Sequence, residues 1–311
     1  IAEPGSYLAR KASGTPILAV RNEDGVVKAF INACKHRGMQ VAEGMGCNKK
    51  AFVCPYHAWT YDLNGNLKRI PGQEGFPGIE IDETNLYEVD AAEKGGIVYI
   101  KQNGKIHKSE LENALDFFTK DQELFDTGEV TDNTNWKLIT ETLLEGYHIR
   151  SLHKNTFYPY GLDNINLVES YGLNSRVIFP FKRIEKLRNI DPAKRNISGM
   201  VTKVYHLFPN VSVSVLSKHT SLTIIEPISP TRAKLISYLL INNQQGQKKI
   251  TLEEAKKDAI FVNESGQEED RAAAVAIQET VSTKANNYLT FGYFEKAIVN
   301  FHKNLSNMLK L

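Results

Sequence analysis

Two short segments, Cys34-Lys35-His36 and Cys54-Pro55-Tyr56-His57, each hold one cysteine and one histidine, with 17 residues between the pairs. This repeated pairing constrains the fold more than any other feature of the chain. Two loops have to converge so that four donors close one metal site, and Gly38 and Pro55 are neighbours suited to such loops. Zinc is a competitor, because two cysteines and two histidines are a common zinc set. Zinc fingers, however, usually offer a cysteine pair and then a histidine pair. Here each loop supplies one of each. Cys47 lies between the pairs but outside the spacing, and reads as an ordinary free thiol.

A cluster with two chemically different irons accounts for the alternation. In a two-iron two-sulfur Rieske centre the cysteines hold one iron and the histidines the other, so each loop must reach both. The segments "CKHRG" and "CPYHAWTYDLNGNL" resemble the Rieske motif. High-potential Rieske proteins carry a further cysteine in each loop, whereas the matching places here hold Met39 and Tyr56. Without a disulfide, and with few hydroxyl donors near the sulfurs, the cluster is expected at the low end of the Rieske range, roughly −150 mV.

The flanking sequence supplies a suitable scaffold. From Tyr7 to Ile100, short β-type runs alternate with turn residues, and Asn64-Gly65 between strand-like flanks predicts a tight hairpin in which both positions tolerate positive φ. After Gly104 the character changes. A helical stretch "KSELENALDFFTK" precedes "TNWKLITETLLEGYHIRSLH", whose apolar residues recur at three and four. The runs "NVSVSVLS", "SLTIIEPISP" and "RAKLISYLLIN" predict consecutive antiparallel strands. Two helices follow, the first opened by a Thr251/Glu254 capping box. The divisions are 1–104 and 105–311.

Within the second region, His148 and His153 are five apart, and Glu145 lies three before the first. Five residues turn a regular α-helix by about 140 degrees, so both rings reach one ion only if the helix is distorted or ends between them. With the Rieske motif upstream, the combination resembles the catalytic alpha subunit of Rieske non-haem iron oxygenases, the ring-hydroxylating family, in its "NWK" start, carboxylate and His-x4-His. The resemblance implies an α+β chain: a small all-β Rieske domain and a helix-grip catalytic domain with an antiparallel sheet. It implies that Cys34, His36, Cys54 and His57 bind one 2Fe-2S cluster. His148, His153 and Asp270 would hold one mononuclear Fe(II) as a 2-His-1-carboxylate triad. Glu268 and Glu269 are near competitors for the aspartate's place, with stabilisation of a helix N-terminus as their alternative role. Glu145 would bridge His57 of one subunit to His148 of the next. Thr142 departs from the family pattern, standing where many members carry asparagine.

The function so implied is an oxygenase terminal component. It uses dioxygen and electrons from a NAD(P)H-dependent reductase, with or without a ferredoxin, to hydroxylate a small organic substrate, with an aromatic one as first expectation. The alternatives are a monooxygenase or demethylase of a quaternary amine, and a Rieske electron-transfer protein with an inactive second domain. A homotrimer is expected, since such subunits face the cluster of one to the iron of the next. An anionic substrate would call for a basic pocket residue such as Arg176 or Arg183, and a cationic one for an aromatic cage. The net charge of +2, from 38 basic and 36 acidic residues well mixed along the chain, gives no basic stripe for nucleic acid. No apolar run approaches the roughly 18 residues that span a membrane, so the expected location is cytoplasmic. The chain starts at Ile1, in strand-like sequence, so a preceding N-terminal segment is expected.

Overall fold

The computed structural model describes residues 1–112, 114–119, 122–242 and 249–310, and the chain divides into two compact units, Ile1–Lys120 and Asp121–Leu311. In the first unit, the β-branched and aromatic runs form a six-stranded antiparallel sheet. Its order is Gly44–Gly46, Tyr7–Ala12, Thr15–Arg21, Val27–Ile31, Glu88–Lys94, Ile97–Lys101. A smaller sheet joins Phe52–Val53, Thr60–Tyr61 and Leu67–Arg69. Between them lies a core of Leu18, Val20, Phe30, Phe52, Trp59, Tyr61 and Leu67, and Cys34 and Cys54 belong to it.

The hairpin at Asn64-Gly65 forms, but only Gly65 has positive φ, at 79°. The Asp62 carboxylate holds the turn instead, accepting from the backbone N–H of Asn64 and Asn66 at 2.9 Å each. A side chain at Gly65 would lie 2.4 Å from the Phe30 ring, so the turn is also pressed against the core.

The division between the units falls sixteen residues beyond Gly104, because the intervening segment is tied back to the first unit. Lys105 pairs with Asp90, Lys101 pairs with Glu110, and the Phe118 N–H donates to the Gly95 carbonyl. The helix expected over residues 108–120 is only a single 3-10 turn, Lys108–Glu110. Glu110 caps the turn through the His107 N–H, and these anchors override the helical spacing. Asn113 and Lys120 of that stretch lie outside the described residues.

The second unit is built on a seven-stranded antiparallel sheet in the order Leu124–Asp132, Arg232–Ile241, His219–Ser229, Val211–Val215, Val201–Leu207, Asn174–Pro180, Leu167–Tyr171. The three consecutive strands expected from their alternating patterns are all present. Helix α1 (Trp136–Thr142) is capped by the Asn135 side chain and buries Leu138 and Ile139 against Ile225, Ala233 and Leu235. Helix α2 (Leu252–Val262) opens with the expected capping box: Glu254 N–H donates to Thr251 Oγ1 at 3.2 Å, and Thr251 N–H to Glu254 Oε2 at 2.9 Å. A π-turn, Asn263–Gln267, joins α2 without a break to α3 (Glu268–Val281). Helix α4 (Lys296–Leu309) packs Ala297, Ile298 and Phe301 against Leu144 and Val177. No helix among the described residues is long and apolar enough to cross a membrane.

Candidate metal centres

In the first unit the two loops bring their cysteines and histidines together. Cys34 and Cys54 are buried and free, and the rings of His36 and His57 lie 4.5 Å apart. Trp59 stacks on His36 at 5.1 Å and nearly parallel, and Tyr56 lies 3.8 Å from His57, so both aromatics position the imidazoles. Desolvation, with His57 and Arg37 close by, holds His36 below its ordinary value, which favours the neutral form a metal ligand requires. Its Nδ1 is buried without a hydrogen-bond partner among the described residues, an atom whose desolvation a metal would offset. Buried thiols on one side and imidazoles on the other fit the donor set of a two-iron two-sulfur cluster. Cys47 is exposed and stands apart.

Tyr61 was not among the expected site residues. Its hydroxyl accepts from the Lys35 N–H at 3.0 Å and lies 3.3 Å from Cys34 Sγ, placed to donate to it. Burial and the Cys34 contact push the phenol well above its usual range, so it stays protonated as a donor. A cluster held by Cys34 would therefore have a hydroxyl on one of its donor sulfurs. In sequence only the position of Tyr61, seven residues after Cys54, hinted at this.

In the second unit His148 and His153 meet because the helix ends before either. Helix α1 stops at Thr142, Leu143 and Leu144 tighten into i+3 bonds, and turns follow through residue 160. Gly146 permits the reversal, since a side chain there would lie 2.9 Å from the Phe179 ring. Glu145 then folds over the turn. It accepts from the N–H of Tyr147 and His148 through Oε2 and pairs with His148 Nδ1 through Oε1.

Asp270 completes the group. His153 Nε2 lies 3.0 Å and His148 Nε2 3.3 Å from the same Asp270 Oδ1. One donor atom from each of the three residues falls within 4.8 Å of the others. Arg271 fixes the rotation of α3 with two 2.7 Å bonds to Asp132, so Asp270 faces the histidines. The acidic run does not start a free helix, since it continues from the π-turn. Glu269 has a different role from dipole stabilisation: its Oε2 lies 2.6 Å from His153 Nδ1 and accepts from Thr156 Oγ1 at 2.8 Å. Sequence reasoning missed this contact because Thr156 and His153 lie more than a hundred residues from Glu269.

Each imidazole thus has its Nδ1 on a glutamate and its Nε2 toward Asp270. Desolvation opposes charge on His148, but the bonds to Asp270 and Glu145 outweigh it and push the group up to about 10. His153 is raised by Asp270 and Glu269, also against desolvation. Burial would raise the Asp270 carboxyl, yet the two histidines hold it below the usual carboxylate range. Carboxylates on both ring nitrogens favour the charged imidazoles, and a divalent cation at the Nε2 atoms would compete with their protons. Two imidazoles and one carboxylate on one face suit a non-haem iron site.

A cavity of about 400 Å³ opens onto these residues. Its lining includes Phe157, Tyr160, Phe179, Phe181 and Phe261. The aromatic stretch after His153 therefore borders the pocket through Phe157 and Tyr160. Thr142 also lines it, although its hydroxyl is committed to the Ile139 carbonyl at 2.8 Å. Three histidines without expected roles have partners elsewhere: His206 bonds the Pro209 carbonyl, His219 pairs with Asp258, and His302 pairs with Glu141.

Comparison with known proteins gives the same division. Residues 2–87 match the family described as Rieske [2Fe-2S] domain, and residues 121–311 match the ring hydroxylating alpha subunit (catalytic domain). The carnitine monooxygenase oxygenase subunit of Escherichia coli (strain K12) is 32% identical over 266 residues, covering 76% of this chain and 70% of that protein. The subunit of the same name from Acinetobacter pittii (strain PHEA-2) is 30% identical over 161 residues, 49% of this chain and only 43% of its own length. Among solved structures, the quaternary ammonium Rieske monooxygenase CntA in complex with an inhibitor superposes with a TM-score of 0.83, at 20% identity, over 99% of this chain and 85% of that one. The chain belongs to the Rieske oxygenase family, as an alpha subunit with a Rieske domain followed by a ring-hydroxylating-type catalytic domain.

Proposed function

We propose that the chain is the oxygenase component of a Rieske monooxygenase acting on a small aliphatic quaternary amine. The observation that carries this is the convergence of His148, His153 and Asp270 at an aromatic-walled cavity. The similar carnitine monooxygenase subunits favour the quaternary-amine alternative over the aromatic substrate first expected.

Cys34, His36, Cys54 and His57 would hold the 2Fe-2S cluster, and His148, His153 and Asp270 the mononuclear iron. When bound, these groups supply stored electrons and the site at which dioxygen is reduced. Overall, one C–H bond, one dioxygen, two electrons and two protons give one C–OH and one water, the electrons coming from NAD(P)H through a reductase. The chain's own residues do the positioning. Glu145 and Glu269 fix the ring orientation of the two histidines. The rings of Phe157, Tyr160, Phe179 and Phe261 suit a trimethylammonium group, since aromatic faces attract cations by about 0.5–2 kcal/mol each. Those walls also exclude water.

Glu145 is assigned the link to the neighbouring subunit. Oε2 is filled by two backbone N–H groups, and Oε1 retains one acceptor position beside His148, which a second imidazole, His57 of the next subunit, can take. This reading requires a homotrimer. Light scattering that finds an active monomer, or Glu145→Gln with both metals and a wild-type single-turnover rate, would overturn it.

The test is reductase-coupled oxygen uptake by anaerobically loaded protein with carnitine, choline, naphthalene and benzoate. Uptake driven by the quaternary amines supports the reading, and uptake driven only by the aromatics replaces it with the aromatic one. Iron analysis separates both from an electron carrier: about three irons per subunit for the oxygenase, about two for the carrier.

A further inference from the structure

Two arginines were candidates for recognising an anionic substrate, and the fold separates them. Arg176 lies on the sheet, paired with Glu169 and donating to the Tyr205 hydroxyl at 3.2 Å; it does not line the cavity. Arg183 follows the strand Asn174–Pro180 in the 3-10 turn Lys182–Leu187 and does line it. Its guanidinium is held at three points. Nε donates to the Gly199 carbonyl at 2.7 Å, Nη2 donates to Ser217 Oγ at 2.9 Å, and Cζ sits 4.4 Å from the centre of the Phe181 ring. Ser217 and Phe181 line the same cavity.

All three restraints are electrically neutral. Among the described residues no carboxylate pairs with Arg183. Asp258 also lines the cavity, but its Oδ2 is taken by the Lys218 N–H at 2.9 Å and His219 Nδ1 at 2.8 Å. The bonds from Nε and Nη2 leave Nη1 and the second Nη2 hydrogen, the Nη1–Nη2 edge, without a protein partner among the described residues. That edge is a planar fork of the width that receives a carboxylate. Arg183 is itself exposed, but its three restraints orient the guanidinium beforehand, so it would lose less side-chain entropy on binding than an unrestrained arginine.

We infer that Arg183 is a specificity-determining residue that takes a carboxylate at the far end of the substrate, which makes the preferred substrate a zwitterion and not a simple cation. The inference rests on the quaternary-amine reading for the cationic end and on Arg183 alone for the anionic end. Arg183, the aromatic walls and the His148, His153 and Asp270 group line one cavity, so a carboxylate held at Arg183 would leave the trimethylammonium end to the aromatic walls.

The test measures binding to holoenzyme by calorimetry with four probes: 4-trimethylammoniobutanoate, 4-trimethylammoniobutanol, 3-phenylpropanoate and 3-phenylpropanol. Wild type should bind the first tighter than the second. Arg183→Gln should weaken 4-trimethylammoniobutanoate by about 10–100-fold, the range of a charge-assisted hydrogen-bond pair, and the alcohol by less than about twofold. Arg183→Lys, which keeps the charge and loses the fork, should fall between. An equal loss for acid and alcohol, or a wild type with no preference for the acid, overturns the proposal, and the second result does so without any variant. If only the phenyl pair binds and the acid preference still depends on Arg183, the anion site stands and the quaternary-amine reading fails. If the trimethylammonium pair binds without an Arg183-dependent preference, the reverse holds.

Discussion

Replacing Gly266 with alanine should change sign with the residue at position 157. Gly266 lies in the π-turn between α2 and α3, and its backbone is helical, so the conformation itself does not demand glycine. The obstacle is a ring. An added Cβ would lie 2.0 and 2.1 Å from Cε2 and Cζ of Phe157, while ordinary contact begins at 3.4 Å, so the ring must retreat by about 1.4 Å. Phe157 packs against the rings of His153 at 4.9 Å and Phe261 at 5.8 Å, so it can retreat only by disturbing the cavity wall or the His153 ring. Overpacking of this kind costs about 1–3 kcal/mol, and the gain in helix propensity returns about 1 kcal/mol. The net is about 0–2 kcal/mol of destabilisation for Gly266→Ala alone, at roughly 2–4 °C of melting temperature per kcal/mol for a unit of this size. In a Phe157→Ala background the obstacle is gone, and the same substitution should stabilise by about 1 kcal/mol. Calorimetric melting of the four proteins closes the double-mutant cycle. An identical shift in both backgrounds would show that Phe157 is not the reason for glycine at this position.

Four further outcomes follow from contacts at the two centres. Glu269→Ala should lower iron affinity by about 10–100-fold in chelator competition, because it frees the ring that Glu269 orients through Nδ1; Glu269→Gln should retain most of the affinity. Tyr61→Phe should shift the cluster midpoint to more negative potential in a redox titration, since a hydroxyl on the Cys34 sulfur stabilises the added electron; an unchanged midpoint would remove Tyr61 from the cluster's environment. In chelated protein, His148 is raised from its ordinary 6.5 to about 10, so its stabilising effect is full below pH 6.5 and is lost as pH rises through 10. Melting temperatures of chelated wild type should therefore fall toward those of chelated His148→Gln over that window, and parallel curves would refute the assignment. Cys47→Ser should keep wild-type acid-labile sulfide, because Cys47 is exposed and apart from the two loops.

The residues that hold chemistry were the most legible part of the sequence. The cysteine and histidine pairs declare themselves because each loop is only a few residues long, and short-range geometry is written in short-range spacing. Strands from Val211 onward were equally plain, since alternation reports one buried face. Long-range anchoring was hidden. The helical spacing after Lys108 is overridden by ion pairs to the Glu88–Lys101 hairpin, and no local pattern encodes that tether. In sequence only the family resemblance sets Asp270 apart from its near competitors Glu268 and Glu269. Their roles separate only in the folded helix, where Asp270 meets both Nε2 atoms and Glu269 reaches around to Nδ1 of His153. Arg176 and Arg183 were likewise interchangeable until one was seen to pair with Glu169 and the other to border the cavity.

The five-residue arrangement of Glu145, His148, His153, Glu269 and Asp270 also sets how much the site must rearrange. Both ring nitrogens of each histidine face a carboxylate oxygen, so neither imidazole can turn without losing two partners at once. A metal taken at the Nε2 atoms and Asp270 would meet rings already held from behind by Glu145 and Glu269, and its arrival would call for little movement of the cavity floor.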